Sequence, residues 1–164
     1  MALISLVSLC LLNSKVIARD DIDFNKAKYE EKQIVCMAKN IYYESGHESH
    51  EGKLAVAQVT MNRVNSKGFP STVCEVVYHK TINSQDKTVC QFSWTCDKVT
   101  KIQNNYIWRE SLDIARRVIT DGLVHPLLAK NDALYFHSVD VHPEWNYHFI
   151  RKIGNHLFYA SEKK

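Results

Sequence analysis

The sequence predicts an α+β fold, with a mostly helical body and a small antiparallel β-sheet near the C-terminus. Apolar residues recur at the helical period in several segments of the first 120 residues. Two short segments rich in aromatic residues follow, each flanked by turn formers. The 164 residues, 45% of them hydrophobic, suit one domain, because a single core of this size can bury most of its apolar surface.

The first long helix is predicted over Lys28–Tyr43, where apolar residues fall close to the helical period. Glu44 then stands at or just beyond the last turn, and Gly46 suits the C-cap of this helix. A second helix is predicted over Lys53–Val64. It is apolar nearly all round, so we expect it at the centre of the core.

Two more helices are predicted before residue 121. Ser71 or Thr72 can cap a short helix that runs to Tyr78. The segment Tyr106–Thr120 has apolar residues at helical spacing, and Asp121-Gly122 ends it.

The rest of the domain is predicted as a loop and two strands. Thr81–Thr100 has little periodicity and is interpreted as a loop held by disulfide chemistry. Ala133–His137 and His156–Ala160 are short and aromatic, which indicates strands. We expect these two strands to pair as an antiparallel hairpin across the intervening loop.

The N-terminal segment is predicted to be a secretory signal over residues 1–18, followed by a single domain over residues 19–164. Ala2–Leu12 is apolar, uncharged and too short to span a bilayer comfortably, and Val16-Ile17-Ala18 fits a small-x-small cleavage pattern. Since no Lys or Arg precedes the apolar run, a retained membrane anchor is the alternative. An exported protein would act in the periplasm, in the cell wall or outside the cell.

Four cysteines remain after residue 18: Cys36, Cys74, Cys90 and Cys96. They permit three disulfide connectivities, among which the sequence does not choose. An oxidising compartment favours one or two disulfides, whereas Cys36 on the apolar side of a helix could also be a buried free thiol. Zinc binding by these cysteines is weakly supported, because the chain has no C-x-x-C pair.

The charge of the chain argues against nucleic acid as a partner. The formal net charge is +3, and the lysines are spread along the chain instead of forming the clusters that follow a phosphate backbone. A slightly basic protein would still be attracted to an anionic polymer.

Glu44 is the candidate general acid. A carboxyl group donates protons near neutral pH only if its surroundings raise its pKa, as burial beside aromatic groups does. Two tyrosines precede Glu44, and the negative end of a helix further favours the protonated form. From periodicity alone, a solvated helix end is the alternative. Glu48 and Glu51 offer a second carboxylate for a two-carboxylate glycosidase, whereas a lone carboxylate suits attack by the sugar's own hydroxyl.

Other chemistries have weaker signals. A metal hydrolase would draw three ligands from the later polar residues, which are His137, Asp140, His142, Glu144, His148 and His156. The chain has no H-E-x-x-H spacing, and single histidines are more often structural or part of a sugar site. A serine nucleophile is disfavoured because no G-x-S-x-G occurs. We predict no metal and no other cofactor.

Several strings in the same order resemble one family, the SleB-like cell wall hydrolases, which include spore-cortex-lytic enzymes and related lysins. The strings are AKNIYYESGHE at 38–48, GKLAVAQVTMNRV at 52–64, FPSTVC at 69–74, CQFSW at 90–94, ALYFH at 133–137 and IGNHLFY at 153–159. Together they cover roughly Ile34 to Ala160.

The resemblance implies a lysozyme-like domain that cuts the glycan strand of peptidoglycan between N-acetylmuramic acid and N-acetylglucosamine. The implied route is lytic transglycosylation, which leaves a 1,6-anhydromuramic end without water as the nucleophile. In the family, the Glu of a Tyr-x-Glu string is the acid/base, and Glu44 has that position here. The family usually continues with Arg and Gly-Glu-Pro, whereas this chain reads Ser45-Gly46-His47-Glu48-Ser49. Loop contacts to substrate are therefore expected to differ.

We expect aromatic and polar groups to hold the glycan. The candidates are Glu48, Gln91, Tyr135, His137 and Tyr159, with core packing as the alternative for the two tyrosines. Packing is the expected role of Trp94 and Trp145. The expected partner is the peptidoglycan glycan strand, bound by a monomer that is not inserted in a membrane after signal cleavage. A zinc amidase and a non-catalytic peptidoglycan-binding protein on the same fold are the alternatives.

Overall fold

A computed structural model describes residues 5–103 and 105–161, with the backbone alone for residues 5–22. The chain divides into two compact units, residues 1–32 and residues 33–164. In the first unit, the described side chains from residue 23 onward are mostly exposed, as Phe24 at 69% and Tyr29 at 54% show. The predicted signal at 1–18 lies outside the residues whose side chains are described. Across the described chain, no helix combines the length and apolar character that a membrane span needs.

The helices are α1 (Ser5–Ser45), α2 (His50–Val64), α3 (Val73–Val77), α4 (Tyr106–Thr120) and α5 (Pro126–Lys130), with a 3-10 turn at Ser93–Thr95. Helix α4 has its predicted bounds, and Thr72 caps α3 by accepting a hydrogen bond from the Glu75 N–H at 3.2 Å. Helix α1 begins before the predicted Lys28 and contains Glu44 in its last turn. Helix α5 was not predicted.

The strands are β1 (Lys80–Ile82), β2 (Thr88–Cys90), β3 (Ala133–Ser138), β4 (His148–Ile153) and β5 (His156–Ala160). β1 and β2 form an antiparallel hairpin where a loop was predicted. In the second sheet, β3 and β5 are antiparallel as predicted, but the expected direct hairpin between them is wrong. β4 lies between them in the sequence, and the strand order is β3-β5-β4, so the tight hairpin joins β4 to β5.

Helix α2 lies at the centre of the core, as its apolar composition predicts. One side of it, with Leu54 and Ala57, packs into a buried cluster with α1, α3 and α4. The other side, with Ala55 and Val59, packs into a second cluster with β3 and β5. The helix begins at a cap in which the Ser49 side chain accepts a hydrogen bond from the Gly52 N–H at 3.2 Å. The end of α1 and the sheet are therefore both positioned against α2.

Gly46 follows α1 directly, at the C-cap position predicted for it, but without a positive φ. The positive-φ glycines of the described chain are Gly68, Gly122 and Gly154. A Cβ at Gly46 would instead collide with the carbonyl oxygen of Tyr42 and lie 3.1 Å from Ile107 Cγ2. Glycine is needed here chiefly because the Tyr42 carbonyl of the last turn of α1 approaches closely, with Ile107 of α4 as the next contact.

Two disulfides resolve the connectivity that the sequence left open. Cys36 in α1 is bonded to Cys74 in α3, so it is not a free thiol. Cys90 is bonded to Cys96 and closes the segment that contains Phe92 and Trp94.

Candidate active site

Glu44 lies half-buried in the last turn of α1. Burial raises the pKa of its carboxyl group from 4.5 to about 7, and the positive charge of Arg63 opposes this rise. Close to neutral pH the carboxyl group is therefore present in both its protonated and its ionised form. A group with this pKa can donate a proton and later accept one.

The aromatic residues before Glu44 anchor the end of α1. Tyr43 stacks on Trp94 with ring centroids 4.7 Å apart, and its hydroxyl donates to the Thr100 carbonyl at 2.9 Å. Tyr42 packs edge-on against Trp108 at 6.0 Å. Trp94 is 9% exposed and donates its indole N–H to Asn40 Oδ1 at 3.0 Å, which confirms its predicted packing role. These contacts hold the helix end, and with it Glu44, in a fixed position.

Arg63 of α2 was not predicted as a site residue. Its side chain is buried, its Nε donates to the Leu134 carbonyl at 2.8 Å, and its Cζ lies 5.1 Å from the centre of the Phe92 ring. Burial lowers its pKa to about 10, so it stays charged at neutral pH. Nη1 is buried and has no hydrogen-bond partner in the described part of the chain. The sequence did contain one indication of this role. Arg63 is a charged residue in a helix that was predicted to be buried on all sides, and a buried charge needs a partner.

Tyr135 and Tyr159 are cross-strand partners on β3 and β5, and His137 lies on the same face of the sheet as Tyr135. Arg63 donates to the carbonyl of Leu134, the residue before Tyr135, and it also influences the pKa of Glu44, which links this sheet face to the candidate acid. The structure thus brings three of the predicted substrate-binding residues together around one surface.

The hydrogen bonds of His137 orient the hydroxyl of Tyr159. His137 Nδ1 lies 2.8 Å from the Ser138 carbonyl oxygen, which can only accept, so the neutral imidazole carries its hydrogen on Nδ1. Nε2 then accepts from the Tyr159 hydroxyl at 3.0 Å. Because the hydroxyl proton is committed to His137, the Tyr159 oxygen presents lone pairs to a neighbouring hydroxyl group.

Two residues of the loop before β4 extend this surface. Tyr147 stacks on Tyr135 with centroids 4.0 Å apart and an angle of 12°. Trp145 packs against Tyr135, His137 and Tyr159. It packs as predicted, but at the surface, since its side chain is 41% exposed. We call Tyr135, His137, Trp145, Tyr147 and Tyr159 the aromatic surface.

Glu48 is hydrogen-bonded to the turn between β4 and β5. Its Oε2 accepts the Asn155 backbone N–H at 3.2 Å, and its Oε1 accepts the Asn155 side-chain amide at 3.0 Å. Asn155 lies in the turn between β4 and β5, next to Gly154 at φ +56°. The carboxylate of Glu48 therefore fastens this turn to the segment after α1, and its role in binding substrate stays a prediction.

Gln91 and the polar residues of the C-terminal region complete the predicted set. Gln91 is half-buried and directly precedes Phe92, whose ring packs beside Arg63. His156 is buried on the opposite face of β5, with its pKa lowered by burial. Within the described ranges, no three His, Cys, Asp or Glu side chains are grouped so that they could hold a metal ion.

The model of one protein family, described as cell wall hydrolase, matches residues 47–159. The chain belongs to the cell wall hydrolase family. The matched range contains Arg63, Gln91 and the whole aromatic surface, whereas Glu44 lies just before its first residue. The resemblance noted from the sequence strings is confirmed.

Curated relatives and solved structures agree with the family. The chain is 30% identical over 133 residues to a spore cortex-lytic enzyme of Oceanobacillus iheyensis, covering 79% of this chain and 42% of that protein. The corresponding enzyme of Bacillus subtilis is 25% identical, with 38% of its length covered. The chain thus spans less than half the length of these relatives.

Two solved structures have the same fold. One is the catalytic domain of the Bacillus cereus SleB protein, which is 29% identical and superposes with a TM-score of 0.57 over 79% of this chain and 91% of that one. The other is the catalytic domain of the germination-specific lytic transglycosylase SleB from Bacillus anthracis, with a TM-score of 0.58 over 78% and 93% of the two chains. The predicted α+β class, with a helical body and a small C-terminal sheet, is confirmed.

Proposed function

We propose that this protein cleaves the glycan strands of peptidoglycan between N-acetylmuramic acid and N-acetylglucosamine, as a lytic transglycosylase with Glu44 as its single acid/base. The observation that carries the proposal is the half-buried Glu44 carboxyl group, whose pKa of about 7 suits both halves of the reaction. Membership of the family and the names of the relatives support peptidoglycan as the substrate.

The reaction begins when protonated Glu44 donates its proton to the glycosidic oxygen and the bond to the anomeric carbon breaks. The C6 hydroxyl of the same muramic residue then attacks that carbon and gives its proton to the Glu44 carboxylate. The product is a 1,6-anhydromuramic end, no water is consumed, and Glu44 returns to its protonated form. Arg63, charged and buried nearby, stabilises the carboxylate between the two steps.

The substrate would be oriented by the sheet face next to Arg63. In this scheme the Tyr159 oxygen, held by His137, accepts a hydrogen bond from a glycan hydroxyl. The Gln91 amide, next to Phe92, supplies a further donor and acceptor. We also propose that residues 1–18 are removed on export and that residues 19–164 act as a monomer at the cell wall, outside the cytoplasm.

The test is digestion of purified peptidoglycan followed by mass spectrometry of the fragments. We expect anhydromuramic ends from the wild-type protein and none from Glu44→Gln. This substitution keeps the shape of the side chain but removes the acidic proton of the carboxyl group. Equal digestion by both forms would exclude Glu44 as the acid. Reducing ends would indicate hydrolysis by water, and released peptides an amidase.

Glu48→Gln tests whether one carboxyl group suffices. The amide can still accept a bond from Asn155, so this variant should fold and should form the same anhydromuramic products. A folded Glu48→Gln protein without activity would instead support a reaction with two carboxylates.

A further inference from the structure

Two rings on the outer face of the C-terminal sheet are exposed to solvent, although most of their aromatic neighbours are packed. Trp145 is 41% exposed and Phe149 on β4 is 51% exposed. By contrast, Tyr135 is half-buried and its ring is stacked on that of Tyr147. Tyr135 was predicted from the sequence as a glycan-binding residue, but one face of its ring is already covered by Tyr147. The rings that remain open to solvent are those of Trp145 and Phe149.

Trp145 is held in one orientation by three neighbouring rings. Its centroid lies 5.4 Å from His137 at 81°, 6.0 Å from Tyr159 at 86° and 6.0 Å from Tyr135 at 61°, all edge-to-face geometries. Its loop is also fixed by backbone hydrogen bonds, from Trp145 to Pro143 at 2.9 Å and from Val139 to Asn155 at 2.9 Å. An exposed indole that is already ordered loses little conformational entropy when a ligand covers it.

The polar group between the two open rings points to the class of ligand. The Tyr159 ring contacts both Trp145, at 6.0 Å, and Phe149, at 5.6 Å, and its oxygen is available as an acceptor. A pyranose ring combines an apolar face of C–H groups with a rim of hydroxyls. Such a ring can pack on an aromatic face while one hydroxyl donates to Tyr159. Neither an aliphatic chain nor a phosphate has both features.

We propose that Trp145 and Phe149 form a saccharide-binding subsite around Tyr159, which takes an N-acetylhexosamine unit of the same glycan strand that Glu44 cleaves. This inference rests on the proposed function for the identity of the strand. The subsite adjoins the acid through Tyr135, which contacts Trp145 and directly follows Leu134, whose carbonyl accepts a hydrogen bond from Arg63 at 2.8 Å. The subsite binds a sugar unit close to the cleaved bond and not at it, so it contributes to substrate binding more than to the chemical step.

The test separates binding from catalysis by using Glu44→Gln as the background. Peptide-free glycan strands are titrated against this variant and against the same variant carrying Trp145→Ala or Phe149→Ala, by isothermal calorimetry. Each alanine should weaken binding by about tenfold, the usual size for loss of one well-packed aromatic contact. Trp145→Phe should recover most of the affinity. Tyr106→Ala is the matched control, since Tyr106 is 68% exposed on α4 and should leave binding unchanged.

Fluorescence gives a second measurement on folded protein. Trp145 is the most exposed of the three tryptophans, since Trp94 is buried and Trp108 half-buried. Glycan strands should therefore protect Glu44→Gln from quenching by acrylamide, and the protection should disappear in the Trp145→Phe form. Unchanged affinity in both alanine variants, or protection that persists without Trp145, would overturn the subsite.

The same variants in an active background distinguish the two proposals. With Glu44 intact, Trp145→Ala should raise KM by about tenfold and change kcat little. Active wild-type protein with no effect of Trp145→Ala on KM would overturn the subsite alone. Absence of cleavage by the wild type, with binding that still depends on Trp145, would overturn the proposed reaction alone.

Discussion

At the scale of single residues, the Glu44 carboxyl group dominates the electrostatics of the site. Its pKa of about 7 lies well above 4.5 because burial disfavours the ionised form, and Arg63 only partly offsets that penalty. The folded protein therefore binds the Glu44 proton more tightly than the unfolded chain does. Retaining an acid in this environment has a cost in stability that depends on pH.

Glu44→Gln should remove that dependence. Between about pH 5 and pH 7 the folded wild type keeps a proton that the unfolded chain has released, so its free energy of unfolding falls over this range and has levelled off by pH 8. Relative to Glu44→Gln, the loss should be on the order of 3 kcal/mol. Urea unfolding of both proteins at pH 5 and pH 8 measures it. An equal response of both proteins to pH would contradict the raised pKa.

Arg63 should set the upper pH limit of activity. In the proposed reaction protonated Glu44 donates to the glycosidic oxygen, so kcat/KM of the wild type should fall as the pH rises above about 7. Arg63→Met removes the charge that lowers the Glu44 pKa, and the fall should move to higher pH. Arg63→Lys keeps the charge and should move it less. If a variant lost activity but its kcat/KM fell at the same pH as in the wild type, Arg63 would act only through packing.

At the scale of elements, the β4–β5 hairpin depends on its turn. Gly154 has φ +56°, and a Cβ there would collide with the Glu48 carboxylate. Gly154→Ala should therefore lose the Glu48 hydrogen bonds in addition to adopting a strained backbone. We expect a loss of about 2–3 kcal/mol in the free energy of unfolding.

Gly68→Ala is the matched control for this prediction. Gly68 has φ +95° with nothing within 4 Å of a Cβ, so only backbone strain should appear, roughly 1–2 kcal/mol. Denaturant unfolding of both variants makes the comparison. Equal losses would mean that Glu48 contributes little to the turn.

Most elements with a buried side were predictable from the sequence, the short helix α5 excepted, and the exposed strands were not. α4 has the bounds expected from its apolar spacing, and β5 was expected over its observed range. In β4, Ile153 is the buried residue and most of the others are exposed, so no alternation identified the strand. All of β1 is exposed, and Asn83 organises the following turn by accepting from the Gln85 and Lys87 N–H groups. Side chains, not periodicity, define this hairpin.

The site was predictable in its residues more than in its contacts. Tyr135, His137 and Tyr159 could be chosen because they lie in strings that also carry the family resemblance, and the sheet brings them together. The Glu48–Asn155 contact joins positions 107 residues apart. The effect of Arg63 on Glu44 likewise depends on how α1 meets α2. Local periodicity contains no information about such pairs, which arise from tertiary packing.

At the scale of the whole molecule, the two disulfides should contribute unequally to stability. Cys36–Cys74 joins residues 38 apart, whereas Cys90–Cys96 joins residues 6 apart. A longer closed loop restricts the unfolded chain more. The entropic contributions are about 4 kcal/mol for the first disulfide and about 2 kcal/mol for the second.

Paired alanine variants test this order. Cys36→Ala/Cys74→Ala should unfold at a lower guanidinium concentration than Cys90→Ala/Cys96→Ala, both measured without reductant. The wild type should lose more stability on reduction than either variant does. The reverse order of the two variants would show that local packing outweighs loop entropy.

The strand order β3-β5-β4 also determines when the aromatic surface can assemble during synthesis of the chain. The ribosome delivers β3 first and β5 last of the three, yet β5 is the strand that lies between the other two. β3 therefore has no partner until residues 156–160 have left the ribosomal tunnel. Tyr159 reaches Tyr135 and His137 at that same moment. The aromatic surface proposed to bind glycan is thus incomplete until β5 has been synthesised.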